Sequence, residues 1–400
     1  MEVRLLFATA ESWPTFRPDV AVLFGKYLPR LGIRSDLVTG ATPGVPAEWG
    51  GGEAFTCAID CGPARRHLRT FLHGVRVLAA RGRAGGCHAL QVRDLPVLAA
   101  IGLLIARWRG LPFFYWMSYP IPEGEIALAR ERGLSAGAAR FLFPWVSGRL
   151  GRLLLYRFVL PRADHVFVQS GRMQAELARR GLDPARMTPV PMGVDVEAAA
   201  AAGPAADDPR LAGRRVLVYL GTTDRPRRIE VLFAMLALLR RQLPDALLVI
   251  VGDTADDVHR AWLREQAAAA GVADHVVWTG WLPTAEAWRY VRAAALALSP
   301  IPRGELLDVG SPTKVAEYLA LGVPVLGNDN PDQAQVIAAS GGGLCVPYTA
   351  ADFAAAAARI LADPAPWRDV AGGRGREYVA AERGYAGLAE RVAEVYRRWA

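Results

Sequence analysis

Lysine is nearly missing from this chain: of 47 basic residues only Lys26 and Lys314 are lysine, so arginine is the default cation and each lysine stands out. Cysteine is scarce too. Cys57, Cys61, Cys87 and Cys345 form no framework of regular spacings and read as reduced thiols of a cytosolic protein. Cys57, Cys61, His67, His73, Cys87 and His88 crowd one region, but their spacings fit no zinc pattern, and no metal is expected there. No run reaches the roughly 18 to 20 uninterrupted apolar residues that a spanning helix needs. A basic start followed by an apolar run and a small-residue cleavage site is also missing, so the expectation is a mature chain that begins at Met1 and is not exported. No Gly-x-Gly-x-x-Gly turn follows either leading strand, which argues against a dinucleotide-dependent oxidoreductase. No Asp-x-Asp occurs, so neither a carboxylate-held divalent metal nor another cofactor is indicated.

What is present is 400 residues at 52% hydrophobic content, enough for two domains of ordinary size. Short β-rich runs alternate with helical stretches from VRLLFAT to HVFVQS, and the alternation restarts at RVLVYLG, with helices expected over 229–242, 256–270 and 284–293. This is the pattern of an α/β protein with two doubly wound parallel sheets. The expected division is a first domain over 1–197, a linker at 198–214 opening a second domain that runs to 380, and a helix over 381–400 that packs back towards the first domain. With two such sheets facing one another, the cleft between them is the expected site.

The net charge of +8 lies wholly in the first half, and residues 65–162 hold 16 arginines against four acids, interleaved with apolar stretches. That combination suits an anionic membrane surface, reached by lying on it rather than crossing it. Buried helices with arginines on their wet faces are the other reading. No recognised nucleic-acid module accompanies the charge, and nucleic acid is not an expected partner.

The stretch GSPTKVAEYLALGVPVL opens as a helix, with Ser311 as candidate N-cap and Pro312 at the first helical position. Lys314 then faces the positive end of the macrodipole, an opposition of about 0.3–1 kcal/mol. A phosphate resting on the turn from Gly310 through Ser311 and Thr313 would convert that opposition into a partnership. Three loops follow strand ends in this half: 221–228, opening at Gly221 and carrying Arg225, Arg227 and Arg228; 280–286; and 302–314. All three are expected on one rim, as an anion site. Glu317, three residues after Lys314, either pairs with it or accepts two neighbouring hydroxyls of a ribose. In YWMSYPIPEGE, Glu123 and Glu125 are candidates for the acceptor side, or else a solvated loop pair.

SPTKVAEYLALGVPV, with GTTDRPRRIEVL before it and SGGGLCVPYTAADFAAAAARIL after it, resembles the nucleotide-binding half of family 4 retaining glycosyltransferases of the GT-B fold. LPRADHVFVQSGRMQAELARRGLDPARMTPVPMGVD resembles the segment that closes their first domain. The resemblance implies transfer of a glycosyl group from a nucleotide diphosphate sugar to an acceptor hydroxyl with retained configuration, the leaving phosphate acting as base. It implies that Glu317 binds the ribose, that Arg227, or Arg225 or Arg228 in its place, meets the donor diphosphate, that Gly310, Ser311, Thr313 and Lys314 wrap the phosphates, and that Trp281 to Thr284 line the base pocket. Val309 stands where the family has its first glutamate, and Asp308 and Glu305 are the nearby carboxylates that would replace it. The tight Gly-rich loop usual after the first strand is replaced here by TAESWPTFRP. A glycan or lipid-linked saccharide of envelope or exopolysaccharide assembly is the acceptor the resemblance suggests, with the protein at the inner face of the cell membrane. A catalytically inert partner subunit of the same fold is the alternative.

Overall fold

The computed structural model describes residues 2–42, 48–81, 86–133 and 137–399. Residues 82–85 and 134–136 of the basic 65–162 stretch lie outside the described residues. The chain divides into two compact units, Met1–Met192 with Tyr385–Ala400, and Gly193–Gly384.

Among the described residues the first unit holds seven strands: β1 (Val3–Thr9), β2 (Ile33–Ala41), β3 (Ala54–Ala58), β4 (Ala89–Arg93), β5 (Phe113–Met117), β6 (His165–Val168) and β7 (Met187–Pro189). All are parallel, in the order β3-β2-β1-β4-β5-β6-β7. FFYWM of β5 is buried on both faces, as a parallel strand covered by helices must be. The closing helix Tyr385–Arg397 belongs to this unit: Tyr385, Leu388, Val392 and Tyr396 pack with Phe7, Phe24 and Phe114, and the Tyr396 hydroxyl donates to Gln91 Oε1.

The second unit holds β8 (Arg215–Leu220), β9 (Ala246–Val251), β10 (Val276–Gly280), β11 (Leu296–Ser299), β12 (Val325–Asn328) and β13 (Gly343–Val346), parallel in the order β10-β9-β8-β11-β12-β13. The order reverses between β8 and β11, and a crevice at the carboxyl ends of such a pair is where doubly wound sheets bind ligands. Helices Val231–Leu239, Asp257–Ala269 and Thr284–Ala293 fall within the stretches that periodicity assigns. The expected linker differs. The units divide after Met192, and Val196–Ala201 is a helix whose N-cap Asp195 accepts the Ala198 amide. Its Ala199, with Ala202 and Leu211, packs into the second unit's core, because alanine has high helix propensity once a cap removes the cost of the first turn.

Candidate active site

The residue after β8 is Gly221, at φ +136°, a conformation that side-chain-bearing residues rarely adopt. A β-carbon there would stand 2.9 Å from Lys314 Cε and 3.2 Å from its Nζ, so the glycine leaves the room that the lysine side chain fills. Gly252, after β9 at φ +126°, backs it in turn: a β-carbon there would come 2.2 Å from the Gly221 carbonyl oxygen. The sequence reading missed Gly252, although it occupies the same place after β9 that Gly221 occupies after β8.

Lys314 belongs to the helix Thr313–Ala320, which Tyr318 fixes over the switch point. The Tyr318 hydroxyl accepts the Leu220 amide at 2.9 Å and donates to the Leu298 carbonyl at 3.2 Å, tying the helix to β8 and β11 at once. Val315, Ala316 and Leu319 bury the same face, and one leucine so buried contributes about 1.5–3 kcal/mol. The half-buried ammonium of Lys314 lies 5.2 Å from the centre of the Tyr219 ring. Burial, then repulsion from Arg227, pulls its pKa down to about 7, with Glu317 pulling weakly the other way.

Glu317 does not pair with Lys314. Its Oε1 accepts a hydrogen bond from Trp288 Nε1 at 3.3 Å, from the helix Thr284–Ala293. Burial raises the Glu317 pKa, against the indole hydrogen bond and Lys314, which both lower it. Trp288, which the sequence reading also missed, carried no signal beyond an aromatic at a helical core spacing.

The three arginines of the 221–228 loop separate by partner. Arg225 Nε lies 3.4 Å from Asp256 Oδ2. Arg228, in the left-handed region at φ 48°, lies 3.8 Å from Glu230 Oε1. Among the described residues Arg227 has no ion-pair partner, and it is the half-buried one of the three. Arg227 and Lys314 thus repel one another in a crevice where, among the described residues, neither has an ion-pair partner, an arrangement that an anionic ligand relieves.

The turn ahead of the helix departs from expectation. Pro312, not Ser311, is the N-cap, and it offers no side-chain bond. Ser311 is buried, donating through Oγ to Asp332 Oδ2 at 2.8 Å. The Gly310 amide is taken by the Leu307 carbonyl at 3.2 Å. Among the described residues the Thr313 and Lys314 amides have no acceptor, as the first turn of a helix leaves them. The Asp308 carboxylate is gripped from both oxygens by Arg303, at 2.8 and 3.0 Å, while Glu305 is exposed and Val309 buried. Trp281 is exposed after β10, two strands from β8, or about 10 Å at ordinary strand spacing.

Glu123 and Glu125 lie in the first unit, on the helix Ile121–Arg132 rather than in a loop. Glu123 accepts from Arg180 Nη1 at 3.1 Å and from the Tyr156 hydroxyl at 3.0 Å, a structural pairing that occupies both its oxygens. Glu125 is half-buried, with its pKa raised by that burial. The carboxyl ends of β1, β4 and β5 instead gather a cluster that the sequence reading missed. Arg93, wholly buried, donates to Asp19 at 2.8 Å, to Glu11 at 3.2 Å and to Ser118 Oγ at 3.0 Å, and Asp94 takes the Ser118 amide at 2.8 Å.

Two family models match the chain, "Glycosyl transferase 4-like domain" over residues 19–193 and "Glycosyl transferases group 1" over residues 214–363. The chain belongs to the family 4 glycosyltransferases. This glycosyltransferase is 28% identical, over 98% of both chains, to a GDP-mannose-dependent alpha-(1-6)-phosphatidylinositol monomannoside mannosyltransferase of Mycobacterium tuberculosis. A phosphatidyl-myo-inositol mannosyltransferase of Mycolicibacterium smegmatis is 35% identical over 44% of this chain and 42% of its own. Among solved structures the glycosyltransferase is similar to sucrose-phosphate synthase from Thermosynechococcus elongatus, at TM-score 0.73, 20% identity and 99% of each chain. It is also similar to Anabaena Alr3699/HepE in complex with UDP, at TM-score 0.69, 13% identity and 100% of each chain. The fold is GT-B, with two Rossmann-like α/β units.

Proposed function

We propose that this glycosyltransferase takes a sugar from a nucleoside diphosphate sugar and gives it, with retained configuration, to a hydroxyl of a lipid-linked saccharide. The observation that carries the reading is the convergence at one switch point of Arg227, the Lys314 ammonium, the first-turn amides and Glu317. The diphosphate lies against Lys314, Arg227 and the Thr313 and Lys314 amides, and the ribose hydroxyls meet Glu317, whose carboxylate Trp288 orients. The bond from the anomeric carbon to the β-phosphate oxygen breaks as the bond to the acceptor oxygen forms on the same face, and the acceptor proton passes to the leaving phosphate. Lys314 and Arg227 stabilise the charge that grows on that phosphate. The chain's own cations carry this role, and no metal is required.

The relatives favour an amphiphilic acceptor: two are named for phosphatidylinositol-based substrates. Among the described residues no helix is long and apolar enough to cross a membrane. Yet Leu142, Phe143, Val146, Leu150 and Leu153 are exposed along the helix Ala138–Leu153, with Arg149 and Arg152 exposed beside them. Val97, Leu104 and Trp108 form a second exposed row on the helix Pro96–Arg109. Apolar rows flanked by arginines fit an anionic lipid surface, and the protein docks there to reach its acceptor.

Thermal shift with UDP and GDP tests the donor reading. A bound diphosphate at a hundredfold excess over its Kd stabilises by about 2.7 kcal/mol. Turnover of the matching sugar nucleotide then separates an enzyme from an inert partner subunit, and stabilisation by neither nucleotide overturns the reading.

A further inference from the structure

Ser311, Asp332 and Arg383 form a buried triad behind the phosphate turn, each less than a tenth exposed. Arg383 Nη1 donates to Ser311 Oγ at 3.0 Å and to Asp332 Oδ2 at 3.1 Å, and its Nη2 donates to Asp332 Oδ1 at 2.9 Å. Ser311 Oγ donates its single proton to the same Asp332 Oδ2, so the serine rotamer is fixed from two sides. The other flank of the turn is held by the same segment: Asn330 Nδ2 donates at 3.0 Å to the Leu307 carbonyl, which also accepts the Gly310 amide. Between Ser311 and the open amides stands only Pro312, whose ring fixes φ, here −72°. Wherever Ser311 is placed, the first turn follows.

Arg383 also sits at the chain's return. The chain leaves the first unit after Met192 and re-enters it at Tyr385. Within the second unit the Val194 amide donates at 2.8 Å to the Arg383 carbonyl, and Val194 bridges Gly384. One residue therefore joins both crossing segments through its backbone and the phosphate turn through its side chain.

We propose that Arg383 is a positioning residue for donor binding: through Ser311 and Asp332 it holds the Thr313–Lys314 turn in the geometry that receives the diphosphate. This rests on the donor reading above. Buried charges of this kind cost as much to desolvate as they return, so stability alone is a weak reason for the triad.

The test is calorimetry with whichever of UDP or GDP binds the native chain, on Ser311→Ala and Arg383→Lys, with melting temperatures measured alongside. Ser311→Ala removes the hydroxyl and leaves the Arg383–Asp332 pair intact, so the fold is kept. The expected result is a melting temperature close to native with the Kd raised about three- to tenfold, and donor KM rising more than kcat falls. Arg383→Lys keeps the charge that Asp332 needs but loses the fork, and the same rise is expected. Native-like Kd in both folded variants overturns the positioning role and leaves the donor reading standing. No binding of either nucleotide by the native chain overturns both.

Discussion

Lys314 lies across the α-carbon of Gly221, its ammonium 5.2 Å from the centre of the Tyr219 ring. The lysine occupies space that any β-carbon at 221 would fill. Gly221→Ala should therefore displace Lys314 as well as strain the backbone at φ +136°. Gly213, at φ +68° with open space around it, supplies a control, since Gly213→Ala carries a milder left-handed strain without the collision. Titration calorimetry should find nucleoside diphosphate affinity about tenfold weaker in Gly221→Ala and near native in Gly213→Ala. Equal effects would show that the collision with Lys314 is not the cause of the loss.

The Lys314 pKa of about 7 gives a pH signature. A bound diphosphate favours the charged amine and raises that pKa, so binding takes up a proton above pH 7. Affinity should fall as pH rises from 7 to 9, by up to about tenfold per pH unit. The nucleotide's own terminal phosphate ionises near pH 6, below this window. Lys314→Arg, charged throughout, should flatten the profile. Calorimetry in buffers of different ionisation enthalpy measures the proton uptake directly.

Much of this site was legible in sequence. Lys314 stood out because it is one of two lysines, and Glu317 because it shares a helix face with it. The strand and helix order followed from periodicity, which local residues set. Partnership is what the sequence did not carry. Ser311 reads as an N-cap from its neighbours alone, yet Asp332 and Arg383 claim its hydroxyl from 21 and 72 residues away. The three arginines of one short loop are equivalent in sequence until Asp256 and Glu230 approach Arg225 and Arg228. Glu123 read as a loop acid until Arg180, 57 residues later, took it. Contacts of that range are set by topology, which neighbouring residues do not encode.

Trp288 and Glu317 supply the next prediction. Glu317→Gln removes a charged acceptor and should weaken nucleoside diphosphate binding by about tenfold or more. Trp288→Phe keeps the bulk and removes the 3.3 Å hydrogen bond, so a smaller loss, about two- to fivefold, is expected. Because Glu317 is meant to meet the ribose, inorganic pyrophosphate should bind Glu317→Gln as it binds the native chain. A pyrophosphate loss equal to the nucleotide loss would remove the ribose assignment.

The exposed rows on Ala138–Leu153 and Pro96–Arg109 predict sedimentation with anionic vesicles that weakens as salt is raised. Phe143→Ser and Trp108→Ser, at positions 73% and 68% exposed, should reduce vesicle binding without lowering the melting temperature. Absence of co-sedimentation at low salt would remove the membrane from the account.

The most direct measurement is a crystal structure of the native chain soaked with the nucleoside diphosphate that stabilises it. The expected density has phosphate oxygens on Lys314 Nζ and the first-turn amides of Thr313–Ala320, with a ribose on the Glu317 carboxylate. Density at any other place on the chain would contradict the account.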